Sequence, residues 1–160
     1  MPPLRSVRRT GVLAALALVL VLGVLPASAS ASPANTAALQ VALKALHHYD
    51  GEIDGIKGPL TKAGLREFQR AHHLTVDGIM GPQTRKALGW RGRERLHKRP
   101  VRRHLKGWDV AAVQFMLRRR GFSPGTIDGG FGQLTDTAAH RFQRYCHMSA
   151  DGVLGIASSA

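Results

Sequence analysis

The sequence predicts an all-α protein: two small three-helix repeats joined by a basic linker, with the second repeat cut short at its third helix. Three observations predict it. Sliding the chain by 74 residues aligns its halves without a gap. An Asp-Gly-x-x-Gly motif recurs at Asp54, Asp77, Asp128 and Asp151, two per copy. Between the motifs, apolar residues fall at helical spacing, and strand signals are absent.

The N-terminus reads as a leader. Residues 1–10 carry Arg5, Arg8 and Arg9 and no acid, residues 11–25 are an unbroken apolar run, and Pro26 precedes Ala27-Ser28-Ala29-Ser30-Ala31. Basic, apolar and small-residue zones in that order make a secretory signal peptide over residues 1–31, with cleavage after Ala29 or Ala31 fitting equally well. The 15-residue run falls short of the roughly 20 that span a bilayer, so no stable membrane anchor is expected after cleavage. The Ala/Ser stretch through Ala38 reads as a short tether.

The first repeat covers residues 36–89. Leu39, Ala42, Leu43 and Leu46 form one helical stripe, and Leu65, Phe68 and Ala71 form the next. Asp and Gly suit a tight turn, and Pro suits the first position of a helix. Each motif, such as Gly58-Pro59-Leu60-Thr61 or Gly81-Pro82-Gln83-Thr84, therefore launches a helix. Gly64 inside the second helix weakens that segment. The expected core is Leu39, Leu43, Leu46, Ile53, Leu65, Phe68, Leu74, Val76, Ile79 and Leu88.

The linker covers residues 90–107 and the second repeat residues 108–160. In the second copy, Gln114, Leu117, Gly125, Ile127-Asp128-Gly129, Leu134-Thr135, Phe142-Gln143 and Asp151-Gly152 reproduce their counterparts in the first. Its stripe is Leu134, Ala138, Phe142 and Tyr145. Ile156 to Ala160 replace the start of a third helix, which is expected to be frayed or missing.

Net charge is +13, and the positive excess is concentrated between Arg85 and Lys106, with ten basic residues against Glu94. Such a run reads either as an adhesive for anionic wall polymers or lipid, or as a solvated flexible spacer. A signal peptide and a basic run that holds one aromatic, Trp90, rather than aromatics interleaved along it argue against nucleic acid as partner. The single Cys146 allows no intramolecular disulfide and reads as a half-buried small residue.

No catalytic constellation is found. His-Glu-x-x-His, Gly-x-Ser-x-Gly and Ser-x-x-Lys are absent. The pairs His47-His48 and His72-His73 point about 100° apart on a helix, which suits solvated helix ends better than a metal. Asp50-x-Glu52-x-Asp54-Gly55 imitates a calcium loop, but its twelfth position is Thr61 rather than Glu. The chain is expected to be a non-enzyme without metal or cofactor.

Leu39-Gln40, Ile53-Asp54-Gly55, Gly58-Pro59-x-Thr61, Phe68-Gln69, Val76-Asp77-Gly78 and Gly81-Pro82-x-Thr84 together resemble the peptidoglycan-binding domain 1 family. The resemblance covers residues 36–89 and, more loosely, 108–160, where Gln133, Ala150 and Ile156 depart from it. It implies a three-helix unit that anchors exported proteins to peptidoglycan, and hence a secreted, cell-wall-associated binding protein. The tandem with a basic linker is also similar to the front of secreted actinobacterial cell-wall peptidases. The alternative is thus a truncated targeting region of a wall hydrolase, such as an M23-type metallopeptidase.

The expected groove is formed by the turns and first helical turns: Asp54, Gly55, Thr61, Asp77, Gly78 and Thr84, with Asp128, Gly129 and Thr135 in the second copy. Helix N-termini there offer unpaired N–H groups to stem-peptide carboxylates. The Asp residues serve first as turn formers. Tyr49 and Trp108 could stack on sugars or pack in the core.

Overall fold

Helix α1 (Pro33–Ala45) starts where Ser32 accepts a hydrogen bond from the Asn35 N–H and Pro33 takes the first helical position. The computed structural model describes residues 32–93 and 96–155. The leader at residues 1–31 and the altered third helix at residues 156–160 lie outside them. The described residues hold five further helices: α2 (Pro59–Ala71), α3 (Pro82–Ala87), α4 (Trp90–Arg93), α5 (Trp108–Arg119) and α6 (Gln133–Tyr145). They hold no strand, only isolated bridges at Val101–Leu154 and Lys106–Gly130.

Three of the four repeated turns start a helix as expected. Gly58, Gly81 and Gly132 sit in extended conformation just before α2, α3 and α6. Helix α2 ends with His72 as cap; the His73 N–H then bonds Arg70 O and the Leu74 N–H bonds Gln69 O. That is the pattern closing a helix through a left-handed residue, and His73 has φ of 53°. His47 and His147 close α1 and α6 in the same way, while Gly121 closes α5.

The packing order is α2 on α1, α1 on α5 and α5 on α6, with α4 bridging α3 and α5. The central pair is buried almost all round: every residue from Thr36 to Leu43 in α1 and from Trp108 to Phe115 in α5. Residues 33–38 are therefore the first turns of a core helix and not a tether. Ala34, Ala37 and Ala38 pack in one core with Trp108, Ala111, Ala112 and Phe115. Small side chains let the two helix backbones approach closely. Trp108 Nε1 donates to Asn35 Oδ1 at 3.0 Å, and Arg118 donates to the Ile53 carbonyl at 2.6 Å. A second core gathers Val101, Val110, Val113, Leu117, Phe131, Ala138 and Ala139.

The expected core holds for Leu39, Leu43, Leu65, Phe68 and Leu88, with Leu46, Ile53 and Leu74 packed at its edge. Val76 and Ile79 are corrections: both are exposed. The turn between them aims its backbone inward at Gly78, so the flanking side chains point out. Helix α6 is likewise rotated from its expected stripe. Leu134 and Tyr145 face solvent, and Thr135, Ala138, Ala139 and Gln143 face in. Gly64 also has a reason. A Cβ there would run into the His48 carbonyl oxygen, so α2 lies against the chain leaving α1.

Between Lys98 and Lys106 the basic segment is fastened rather than free. Arg99 grips the fully buried Asp109 carboxylate with two bonds, 2.7 and 3.2 Å, and also donates to the Lys106 carbonyl. Val101 is buried and exchanges backbone bonds with Leu154. Lys98, Arg102, Arg103 and Lys106 remain exposed around these anchors.

Candidate functional site

The predicted turn residues converge, in each case, on a buried glutamine. Gln40 in α1 receives the Gly55 N–H on its Oε1 at 2.9 Å. Its Nε2 faces Asp54 Oδ1 at 2.6 Å, Thr61 Oγ1 at 3.1 Å and the Ile56 carbonyl at 3.2 Å. Gln69 in α2 repeats this with Gly78, Asp77, Thr84 and the Ile79 carbonyl. Gln114 in α5 does so with Gly129, Asp128, Thr135 and the Gly130 carbonyl. A fourth node joins Gln143 to Gly152, Asp151 and the Val153 carbonyl. Because the Gly N–H is a donor, it fixes which end of each amide is oxygen.

The geometry requires these residue types. Gly55, Gly78, Gly129 and Gly152 have φ of 75°, 70°, 79° and 71°, the left-handed region where a Cβ is strained. Each Asp folds back to accept from the N–H two residues on, at 2.7 to 2.9 Å. Hydrogen bonds from Gln40 and then the Ile56 N–H hold the Asp54 carboxyl below the usual carboxylate range. The Ile79 and Val153 N–H groups, followed by Gln69 and Gln143, do the same for Asp77 and Asp151.

The nine predicted residues thus divide, turn by turn, into a buried and an exposed set. Thr61, Thr84, Thr135 and the three glycines are buried, so they brace the turns from within. Asp54, Asp77 and Asp128 remain exposed beside helix starts that have no side-chain cap. The exposed apolar neighbours Ile56, Leu60, Ile79 and Leu134 were missed as surface residues. Their shared signal is position: each sits within a turn or the first helical turn. Tyr49 and Trp108 are buried and serve packing. Cys146 is exposed, not half-buried. Among the described residues no group of acids, histidines or cysteines could hold a metal ion, and no helix is long and apolar enough to cross a membrane.

Two cavities stand out. The larger, about 310 Å³, has walls from Val113, Leu117, Phe142 and Leu154, with Arg99 and Arg120 at its edge. Arg99 is engaged with Asp109, and the Arg120 guanidinium lies 5.9 Å from the Phe142 ring centre. The other is an open cleft of about 250 Å³ beside Gln114, between the Pro124–Gly130 turn and the start of α6.

Comparison with known proteins agrees with this architecture. The family described as "Putative peptidoglycan binding domain" matches residues 32–88 and again 106–158. The chain is 35% identical over 114 residues to the N-acetylmuramoyl-L-alanine amidase CwlM of Mycobacterium tuberculosis, covering 69% of this chain and 26% of that protein. It is 30% identical over 132 residues to the N-acetylmuramoyl-L-alanine amidase CwlL of Bacillus licheniformis, covering 67% of this chain and 36% of that one. It thus spans about a quarter to a third of the length of these relatives. No solved structure matches. With two matched segments covering most of its length, each built around the same glutamine-centred turns, the chain belongs to the peptidoglycan-binding domain 1 family, in tandem copies.

Proposed function

We propose that this chain is an exported, non-catalytic peptidoglycan-binding protein of the cell wall, and that it binds through the turn surfaces of its two repeats. The observation that carries the reading is the placement of exposed aliphatic side chains beside exposed Asp turns and uncapped helix starts, within repeats of a peptidoglycan-binding family. Apolar surface flanking hydrogen-bonding groups suits a ligand of sugars and short peptides. Asp54, Gly55, Thr61, Asp77, Gly78, Thr84, Asp128, Gly129 and Thr135 shape that surface, the glycines and threonines from beneath. Lys98, Arg102, Arg103 and Lys106 add attraction to anionic wall polymers.

The test is co-sedimentation of residues 31–160, which form one compact unit, with purified insoluble peptidoglycan. Recovery in the pellet is expected, and recovery in the supernatant at low and high salt alike would overturn the reading. If teichoic acid contributes through the basic segment, its presence raises the pelleted fraction at low salt and loses that effect at high salt.

A second reading is favoured by the relatives, which are named as amidases. In that reading the repeats are the wall-targeting region of a cell-wall hydrolase. Fusing residues 31–160 to an amidase domain should raise its activity on insoluble wall and leave its activity on soluble fragments unchanged.

A further inference from the structure

The second turn of each repeat is covered from the same position of the helix before it, and the two repeats place opposite charge there. In the first repeat Arg66 of α2 lies across Gly78: its Nε is 3.2 Å from where a Cβ on that glycine would stand. In the second, His140 of α6 lies across Gly152, with Asp136 Oδ1 2.9 Å from the corresponding point. The 74-residue register pairs Arg66 with His140, Lys62 with Asp136 and Lys57 with Phe131. Lys62 therefore stands on the strip of α2 that faces the turn, one helical turn before Arg66. Lys57 faces the turn as well. After the Ile79 N–H and the Gln69 amide, its ammonium helps to hold the Asp77 carboxyl below the usual carboxylate range. Phe131, by contrast, is buried in the second core. Three cations thus attend one carboxylate in the first repeat, where the second has two carboxylates and a histidine.

We propose that the second turn of the first repeat is a carboxylate subsite, at which Arg66, Lys62 and Lys57 hold a free carboxylate of the wall's stem peptide, and that the second repeat lacks it. The proposal rests on the peptidoglycan-binding reading and names the part of the ligand and the repeat that takes it.

The donors there are available. Among the described residues, Arg66 and Lys62 are exposed and form no ion pair. Asp77 already accepts on Oδ1 from both the Gln69 amide and the Ile79 N–H. A guanidinium is a flat fork of donors that matches the two oxygens of a carboxylate, and such charge-assisted bonds are stronger than neutral ones. The lysines raise the local positive potential around it. Val76 and Ile79, 42% and 60% exposed, flank the turn and offer apolar contact to the aliphatic group beside a peptide carboxylate. A polyol phosphate carries the charge without that side group. In the second repeat an incoming carboxylate meets Asp136 and Asp151 instead, and like charges repel at short range.

The probe is N-acetyl-D-alanyl-D-alanine, titrated into residues 31–160 and followed by amide NMR, with its C-terminal amide as the neutral control. Shifts are expected at residues 57–66 and 76–79 and not at 131–153, and the neutral control should bind at least about tenfold more weakly. Arg66→Gln, at an exposed position, should weaken binding of the acid about tenfold with no change in the thermal midpoint. Lys62→Gln should weaken it roughly two- to threefold. Equal binding of the acid and its amide, equal binding by the parent and both variants, or shifts centred on the second repeat would overturn the proposal. Glycerol phosphate that binds as tightly as the dipeptide would also overturn it, because the site would then read charge alone. Parent protein that pellets with insoluble peptidoglycan yet ignores the dipeptide overturns it and leaves the wider reading intact. Failure to pellet removes both.

Discussion

Each buried glutamine satisfies donors and acceptors that the turn cannot satisfy alone, so replacing it by a residue of similar size isolates that role. Gln69→Leu leaves the buried Gly78 N–H without its acceptor and removes the amide donor from Asp77 and Thr84. The expected loss is about 2–3 kcal/mol in urea unfolding, since buried groups lose their bonds without regaining water. The Asp partners make the fold acid-sensitive. The folded-state pKa values of Asp54, Asp77 and Asp151 lie below the unfolded value of about 3.9. The stability they contribute is present above pH ~4 and is lost as pH falls through the depressed values. Thermal unfolding from pH 7 to 2 should show the midpoint flat above pH 5 and falling below pH 4. The sequence revealed the Asp and Gly of each node, and the Thr of the first three, because turn chemistry is local. It did not reveal what the glutamines do. A helical glutamine reads as a solvated residue unless its partner, 14 or 8 positions on, is known to fold back over it.

At the scale of the helix, two substitutions separate intrinsic preference from packing. Helix propensity alone says Gly64→Ala should stabilise by about 1 kcal/mol. The added methyl meets the His48 backbone carbonyl, which cannot rotate away, so a net loss of stability is expected instead. His73→Gly should act the other way. His73 sits at φ of 53°, and glycine relieves the cost of a Cβ there, about 1 kcal/mol or somewhat more. Paired thermal melts of the two variants check both signs. Helix starts were legible because Gly-Pro and Asp-Gly announce themselves. Helix faces were less so. In α6 the buried side is set by Thr135 and Gln143 reaching the two nodes, and these polar residues outrank Leu134 and Tyr145 for the interior.

For the whole molecule, the shared core predicts one unfolding event, not two. Phe115 belongs to the second repeat, yet a Cβ on Gly55 of the first would lie 2.6 Å from its ring. Phe115→Ala should cost about 3–5 kcal/mol and lower a single calorimetric transition. Two separated transitions in the parent protein would contradict the common core. The existence of two repeats was plain from their register, whereas their fusion was not. The alanines of α1 carry little hydrophobic signal, and their value lies in how near they let α5 come.

That alanine-lined seam also limits how the molecule can be divided. Excised alone, either half would bare a helix that has no solvent-facing side over most of its length. The smallest portable unit is therefore the pair. An engineer who wishes to transplant these repeats must carry both halves across together, since either one alone is an unsound remnant.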